Sequence, residues 1–242
     1  MRELSAYRVS GEEFTPSRKR TARRHVALAT LFCLLGFAGF WTGALVLYPG
    51  GTWLDRTSIG ASLLGNFLCD LTQPVSLSGV ANPVGSRLAQ CGMLCFAAAL
   101  TGILWLVPRH FADGARARFL NRGVAPLAVI SFVAVPLTPS EQFGSVHAVL
   151  ALLAGALGIA ALLGSVRALL ASGRGARALG ALGSLAIAVG AFDAAIFVWH
   201  LGDSSPPPLL APAAQQVAAL LVSAWIAAVA LTVLLDKDSR RA

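Results

Sequence analysis

The sequence predicts an all-α integral membrane protein, a bundle of six transmembrane helices with both termini in the cytoplasm. Apolar residues make up 56% of the chain and charged residues 12%, against roughly 25% charged in an ordinary soluble domain. About 20 helical residues, at about 1.5 Å each, cross the hydrocarbon layer of roughly 30 Å. The candidate apolar stretches are residues 26–48, 88–107, 124–137, 145–166, 179–201 and 211–235.

Positive charge is divided unequally between the segments that join these stretches. Of the 19 Lys and Arg residues, all except Arg56 and Arg87 lie in the N-terminal tail, in residues 108–123 and 167–178, or in the C-terminal tail. Cytoplasmic segments retain Lys and Arg, so these segments and both termini are predicted to lie inside. The segments predicted to lie outside are residues 49–87, 138–144 and 202–210. The net charge of +8 then faces anionic headgroups, which makes the lipid bilayer the partner and excludes nucleic acid.

The third stretch, residues 124–137, is shorter than the others and contains two prolines. Leaving it out would place the arginines of residues 167–178 outside, against the charge rule. We therefore predict a third span that extends back through Phe119 and Leu120. The predicted organisation is a flexible basic cytoplasmic tail over residues 1–24, a six-helix transmembrane domain over residues 25–235 and a cytoplasmic tail over residues 236–242.

Helical spacing is also present inside the first outer loop, in residues 62–71 (SLLGNFLCDL). Apolar side chains such as Leu64 and Leu68 share one face, and Asn66 and Asp70 lie four residues apart on the other. This pattern predicts a short amphipathic helix that lies on the outer surface of the membrane.

Polar candidates for a functional site are concentrated on the outward half of the bundle. Asp193 lies inside an apolar stretch, where an ionisable side chain is costly and therefore a candidate for function. His200 follows close to the same helix face, about 10 Å nearer the outer end. His147 and Gln215 lie near the outer ends of the fourth and sixth spans. Further candidates in the first outer loop are Asp55, Asn66, Asp70 and Asn82.

Three interpretations of these residues remain open. In the first, they form a pocket for a small solute, a proton or a lipid headgroup. In the second, His147, His200 and a carboxylate hold a Zn²⁺ ion that activates a water molecule. The carboxylate candidates are Asp193, Asp70 and Asp55. In the third, the polar groups are satisfied within the fold and have no chemistry. Because no HxxxH or HExxH sequence presets two ligands, we assign no cofactor, and zinc is the one candidate.

Cysteine and glycine positions bear on packing. Cys69 and Cys91 both lie near the predicted outer face, where an oxidising compartment would permit a disulfide. Cys91 and Cys95 are one helical turn apart, which is a weak metal signal without further ligands. Gly39 and Gly43 form a GxxxG pair that allows close helix contact. This pair is compatible with a homo-oligomer and does not support one.

Several short sequences resemble a bacterial multi-pass membrane family, domain of unknown function 998, over roughly residues 26–235. In the first outer loop they are Tyr48-Pro49-Gly50-Gly51-x-x-x-Asp55, Gly65-Asn66-Phe67-Leu68-Cys69-Asp70-Leu71, Ala81-Asn82-Pro83 and Arg87-Leu88-Ala89. Later ones are Val146-His147-Ala148 and Pro212-x-x-Gln215, with Trp225 ten residues on. Gln216 stands where the family has a basic residue. The resemblance implies a multi-helix fold and a shared outward-facing set of residues, and it implies no activity, substrate or cofactor.

The leading functional hypothesis is the binding or passage of a small ligand or lipid headgroup at an outward pocket, in a bacterial-type cytoplasmic membrane. The alternative is a metal-dependent hydrolase that acts on a lipid or lipid-linked substrate at the outer leaflet. A hydrolase requires His147, His200 and a carboxylate about 2.0–2.2 Å from a common point. A third hypothesis is a structural or assembly protein without chemistry. The sequence leaves enzymatic activity open.

Overall fold

A computed structural model describes residues 16–111, 115–200 and 210–236 of the chain. These residues form helices connected by irregular segments, with two isolated β-bridges and no β-strand among them. The helices are α1 (Pro16–Leu47), α2 (Leu68–Leu71), α3 (Pro83–His110), α4 (Ala115–Leu137), α5 (Ser140–Phe143), α6 (Ser145–Leu170), α7 (Arg174–His200) and α8 (Leu210–Leu235).

Five helices of the described chain, α1, α3, α6, α7 and α8, are long and apolar enough to cross a membrane. The helix α4 has 23 residues, and its described apolar part is the shorter helix Gly123–Leu137. The prediction of an all-helical fold is therefore confirmed for the described residues, and five of the helices are candidate membrane spans. The remaining helices, α2 and α5, have four residues each.

Glycines allow α1 and α3 to pack closely against each other. A Cβ atom added to Gly102 would lie 2.1 Å from Thr30 Oγ1, and one added to Gly43 would lie 3.2 Å from Leu88 Cδ1. An added Cβ on Gly39 would meet no atom within 4 Å. Of the GxxxG pair, Gly43 thus contributes to helix contact within this chain, and Gly39 faces open space.

The apolar core lies between α1, α3, α6 and α8. Its fully buried side chains include Ile103 and Leu106 on α3, Leu169 on α6, and Trp225 and Ile226 on α8. These positions lie in the half of the bundle that contains the start of α1 and the ends of α3, α6 and α8. The other half contains a second buried cluster, formed by Trp41, Ala44, Tyr48, Leu71 and Ala89, and the candidate site lies in that half.

The two ends of the bundle differ in charge. At one end Arg23 donates a hydrogen bond to the Arg109 carbonyl at 3.3 Å, and Arg24 donates one to the Leu234 carbonyl, also at 3.3 Å. Two arginines of α1 thereby hold the last turns of α3 and α8, whose terminal carbonyls have no helical partner. We call this the basic end. We call residues 48–82, which connect α1 to α3 at the opposite end, the cap.

The helix predicted over residues 62–71 is shorter than expected, because only α2 is helical there. Asn66 Oδ1 accepts the backbone N–H of Ser62 at 2.8 Å, and Asp70 Oδ2 accepts that of Phe67 at 2.8 Å. Side-chain oxygens thus take backbone donors that a helix would use. Asn66 and Asp70 are consequently buried, where the amphipathic pattern placed them on a polar outer face.

The start of α1 differs from the sequence-based prediction, and the sequence left the state of the cysteines open. Because α1 begins at Pro16, the end of the tail that the sequence predicts as flexible is helical. Residues 1–15 and 237–242 lie outside the described residues. Each of the four cysteines is a free thiol, so no disulfide joins Cys69 to Cys91.

Candidate functional site

The cap begins with a tight backbone turn that requires glycine. Gly51 has a φ of +87°, and a Cβ there would lie 2.3 Å from the Ser78 nitrogen, which itself donates to the Gly50 carbonyl at 3.1 Å. The Tyr48 hydroxyl oxygen accepts the Leu77 backbone N–H at 3.1 Å. The YPGG sequence therefore joins the end of α1 to the far side of the cap.

Two of the predicted site residues hold the cap together. Asn66 is fully buried and donates through Nδ2 to the Gly51 carbonyl at 2.8 Å. Asn82 Nδ2 donates to the carbonyls of Leu71 and Gln73 at 3.3 and 3.1 Å. Their amides satisfy backbone groups that would otherwise be buried without partners. Both side chains are buried, and the Asn82 Oδ1 atom has no hydrogen-bond partner in the described structure.

Asp70 is a buried carboxylate within the same network. Its Oδ1 accepts the Trp53 indole N–H at 3.1 Å, and its Oδ2 accepts the Phe67 backbone N–H at 2.8 Å. Burial raises the pKa of Asp70 to about 6, and the two hydrogen bonds oppose the rise. The carboxyl group therefore changes its charge close to neutral pH, inside the cap.

Asp55, in contrast, lies in an exposed turn. Its Oδ1 accepts the hydroxyl of Thr57 at 2.7 Å and the backbone N–H of the same residue at 2.9 Å. The hydroxyl contact and then the backbone contact hold the pKa of Asp55 below its usual value of 3.8. Asp55 therefore shapes an exposed turn.

The cap is fastened to the beginning of α8 by two glutamines. Gln215 Oε1 accepts the Leu68 backbone N–H at 2.6 Å, and Gln216 Nε2 donates to the Asn66 carbonyl at 3.2 Å. The first contact lies at the start of α2, where a helical N–H has no partner in its own helix. The pair Gln215–Gln216 thus fixes the position of α2 above the bundle.

The cap also contacts the connection between α4 and α6. Gln73 Nε2 donates to Ser140 Oγ at 2.7 Å, and Gln73 Oε1 accepts the Glu141 backbone N–H at 3.1 Å. His147 contacts the same connection: its side chain is buried, and its Nδ1 lies 2.6 Å from the Thr138 carbonyl oxygen. His147 therefore links the head of α6 to the end of α4.

A cavity of about 200 Å³ lies beneath the cap, between α3, α4, α6, α7 and α8. Its roof is formed by Leu68 and Cys69 of α2. The walls contributed by α6, α7 and α8 are largely alanine and glycine, and at Gly155 and Gly190 an added Cβ would meet no atom within 4 Å. The cavity exists because side chains are small on three facing helices.

Polar groups reach this cavity near its roof. Asp193 and Gln215 line it together with the Cys69 thiol. Burial, with the nearby negative charges of Asp70 and Asp193, raises the pKa of Cys69 to about 12, so the thiol is neutral. In the part of the chain that the structure describes, no hydrogen bond or ion pair to Asp193 is present.

Two of the predicted site residues, Asp193 and Gln215, thus come together at one cavity, and the other described candidates do not line it: His147, Asp55, Asn66, Asp70 and Asn82. His200 is the last residue of α7, and its side chain lies outside the described part. Among the described residues, no group of three His, Cys, Asp or Glu side chains is placed to hold a metal ion.

Reasoning from the sequence missed most of the cavity. The sequence indicates only a possible disulfide partner at Cys69, whereas the structure places Cys69 in the roof of the cavity. Gly155 and Gly190 belong to spans rich in alanine and glycine, a composition that predicts close helix packing. The same composition leaves a cavity where no large side chain fills the space between helices, and the rings of Phe96 and Phe132 on α3 and α4 also line this cavity.

Comparison of the chain with protein-family models, with curated proteins and with solved structures gives no significant match.

Proposed function

We propose that this chain is a multi-pass protein of a bacterial-type cytoplasmic membrane that binds, or passes, a small molecule with an apolar body in the cavity beneath the cap. The observation that carries the proposal is the cavity itself: about 200 Å³, lined by five helices and roofed by α2. An apolar cavity of about 150 Å³ takes up benzene. A ligand of about that size, or a short length of one hydrocarbon chain, therefore fits.

The proposed topology has six spans, with the basic end and both termini in the cytoplasm. The helix α4, with 23 residues, would extend about 35 Å. Its apolar part is Gly123–Leu137, and the arginines before it would lie at the cytoplasmic interface. The contacts of Arg23 and Arg24 keep positive charge at the end where α1 begins. Cytoplasmic segments carry such charge, and the cap then faces outward.

The hydrogen bonds of the cap residues argue against an open polar pocket within the cap. Asn66, Asp70 and Asn82 are used by the cap's own backbone and by Trp53, so a lipid headgroup would meet few free groups there. The polar contribution to binding comes from Asp193 and its neighbours at the roof. The metal-dependent hydrolase and the purely structural role stay predictions, as does the resemblance to domain of unknown function 998.

Cavity filling tests this proposal. We expect Gly155→Leu to weaken the binding of benzyl alcohol to the detergent-purified protein by at least about tenfold, because the new side chain would occupy the cavity. Gly39→Leu is the matched control, since Gly39 also has open space around it and lies on α1, away from the cavity lining. Isothermal titration calorimetry measures both. Equal affinity in the Gly155→Leu variant and the wild type would refute the proposed site.

A further inference from the structure

Asp193 is the one charged residue among the described residues that line the cavity. The remaining lining consists of aliphatic, aromatic and small side chains with Gln215, Met93 and Cys69. Gln215 Oε1 already accepts the Leu68 N–H at 2.6 Å, and the Cys69 thiol is a weak acceptor. Asp193 thus supplies the free side-chain acceptor oxygens of this cavity.

Basic side chains of the described chain are engaged or placed elsewhere at this end of the bundle. Arg56 lies 4.9 Å from the centre of the Trp53 ring and donates to the Leu77 carbonyl at 3.3 Å. Arg87 is exposed near the start of α3, and neither arginine forms an ion pair with Asp193. The carboxylate is partly removed from water and has no cation among the described residues to offset that cost.

We propose that the ligand of the cavity beneath the cap carries a basic nitrogen that is cationic at neutral pH, and that the Asp193 carboxylate binds this ammonium group. The inference rests on the proposed function, since it names the chemical class of the ligand of the same cavity. Removing a carboxylate from water is costly unless a partner is present. A cation that enters with an apolar body offsets this cost through a charge-assisted hydrogen bond in surroundings of low dielectric constant.

The alternatives in ligand chemistry are less favourable at this position. A neutral hydroxyl can donate one hydrogen bond to Asp193, but it leaves the negative charge without a counter-charge. An anionic head group would be repelled by the carboxylate and would meet no cation among the described lining residues. Among molecules of equal size, the predicted order of affinity is therefore amine, then alcohol, then carboxylic acid.

Three probes of matched size test this order: benzylamine, benzyl alcohol and benzoate, measured by calorimetry at pH 7 with the full chain in detergent. We expect benzylamine to bind the wild type at least about tenfold more tightly than benzyl alcohol, since about 1.4 kcal/mol corresponds to a factor of ten. Asp193→Asn should reduce benzylamine to the level of benzyl alcohol and leave benzyl alcohol nearly unchanged. Asp193→Glu, which keeps the charge, should retain the preference for the amine. If Asp193→Asn does not fold, the same affinities are measured with Asp193→Glu, and loss of the preference in that variant would contradict a role for the charge.

The outcomes separate the two proposals. If benzyl alcohol binds and Gly155→Leu abolishes its binding, while benzylamine shows no advantage in the wild type, the cavity stands and the cationic ligand is refuted. The same holds if Asp193→Asn leaves a preference for the amine intact. If no probe binds the wild type, or if Gly155→Leu binds all three as well as the wild type, the proposed function fails and the ligand class fails with it.

Discussion

Asp70 and Asp55 are carboxylates of the same cap with opposite environments. Burial raises the pKa of Asp70 to about 6, and hydrogen bonds from Thr57 lower the pKa of Asp55 below 3.8. A buried acid with a raised pKa stabilises the fold while it is protonated, and that contribution is lost as the pH rises through the folded pKa. An acid with a lowered pKa does the reverse: its contribution is lost as the pH falls.

We therefore expect the folded cap to lose stability as the pH rises from about 4 to about 6, by up to about 3 kcal/mol. Asp70→Asn keeps a side chain of the same shape and cannot titrate, so this pH dependence should disappear. The measurement is hydrogen exchange of the cap amides, such as that of Gly51, as a function of pH after correction for intrinsic rates. The control is Asp55→Asn, which should leave the dependence between pH 4 and 6 in place. A wild-type cap whose protection is constant over that range would contradict the assignment.

At the scale of elements, the contact between α1 and α3 depends on glycine at defined positions. Thr30 is buried and donates its hydroxyl hydrogen to the Val26 carbonyl at 2.8 Å. A Cβ on Gly102 would lie 2.1 Å from that hydroxyl oxygen, a separation at which one of the two helices must move. Extra volume in a packed interface typically costs about 1–3 kcal/mol.

We expect Gly102→Ala to destabilise the bundle by that amount, measured as thermal unfolding in detergent. Gly39→Ala is the matched control on the same helix pair, and it should be neutral or stabilising by up to about 1 kcal/mol, because alanine is the better helix former. Thr30→Ala combined with Gly102→Ala should recover part of the loss, since it removes the atom that clashes. Additive effects of Gly102→Ala and Thr30→Ala would show that the clash is not the cause.

The sequence predicts those elements whose residue pattern repeats along the chain. It does not predict contacts that depend on how distant residues meet in the folded protein. Apolar length and composition suffice for α1, α3, α6, α7 and α8, because the bilayer imposes the same requirement on each span. They cannot show which of Gly39 and Gly43 faces α3, since a small residue has no side chain to mark its face. In the cap, Asn66 and Asp70 fall four residues apart as in a helix, yet their contacts to Ser62 and Phe67 depend on the fold of the whole segment.

At the scale of the whole molecule, the cap and the cavity form one unit. The start of α2 is held by Gln215, and Gln215 itself lines the cavity together with Asp193. A ligand in this cavity would therefore lie beside a residue that fastens the cap to α8. Because Gln73 joins the cap to α5, the roof is anchored on two sides, and ligand passage on the cap side would require at least one of these contacts to open.

The same arrangement makes a prediction about topology. Ile59 is 96% exposed on the cap, Glu141 is exposed on α5, and Lys19 is exposed at the basic end. In a variant without native cysteines, we expect Ile59→Cys and Glu141→Cys to react with a membrane-impermeant maleimide in intact cells. Lys19→Cys should react only after the cells are permeabilised, because positive charge stays in the cytoplasm.

The pair Ile59 and Glu141 tests α4 directly: both must lie on one side if α4 crosses the membrane together with α3. Labelling of Glu141→Cys only after permeabilisation, with Ile59→Cys labelled from outside, would exclude the six-span bundle. Labelling of Lys19→Cys in intact cells would reverse the proposed orientation and place the cap in the cytoplasm.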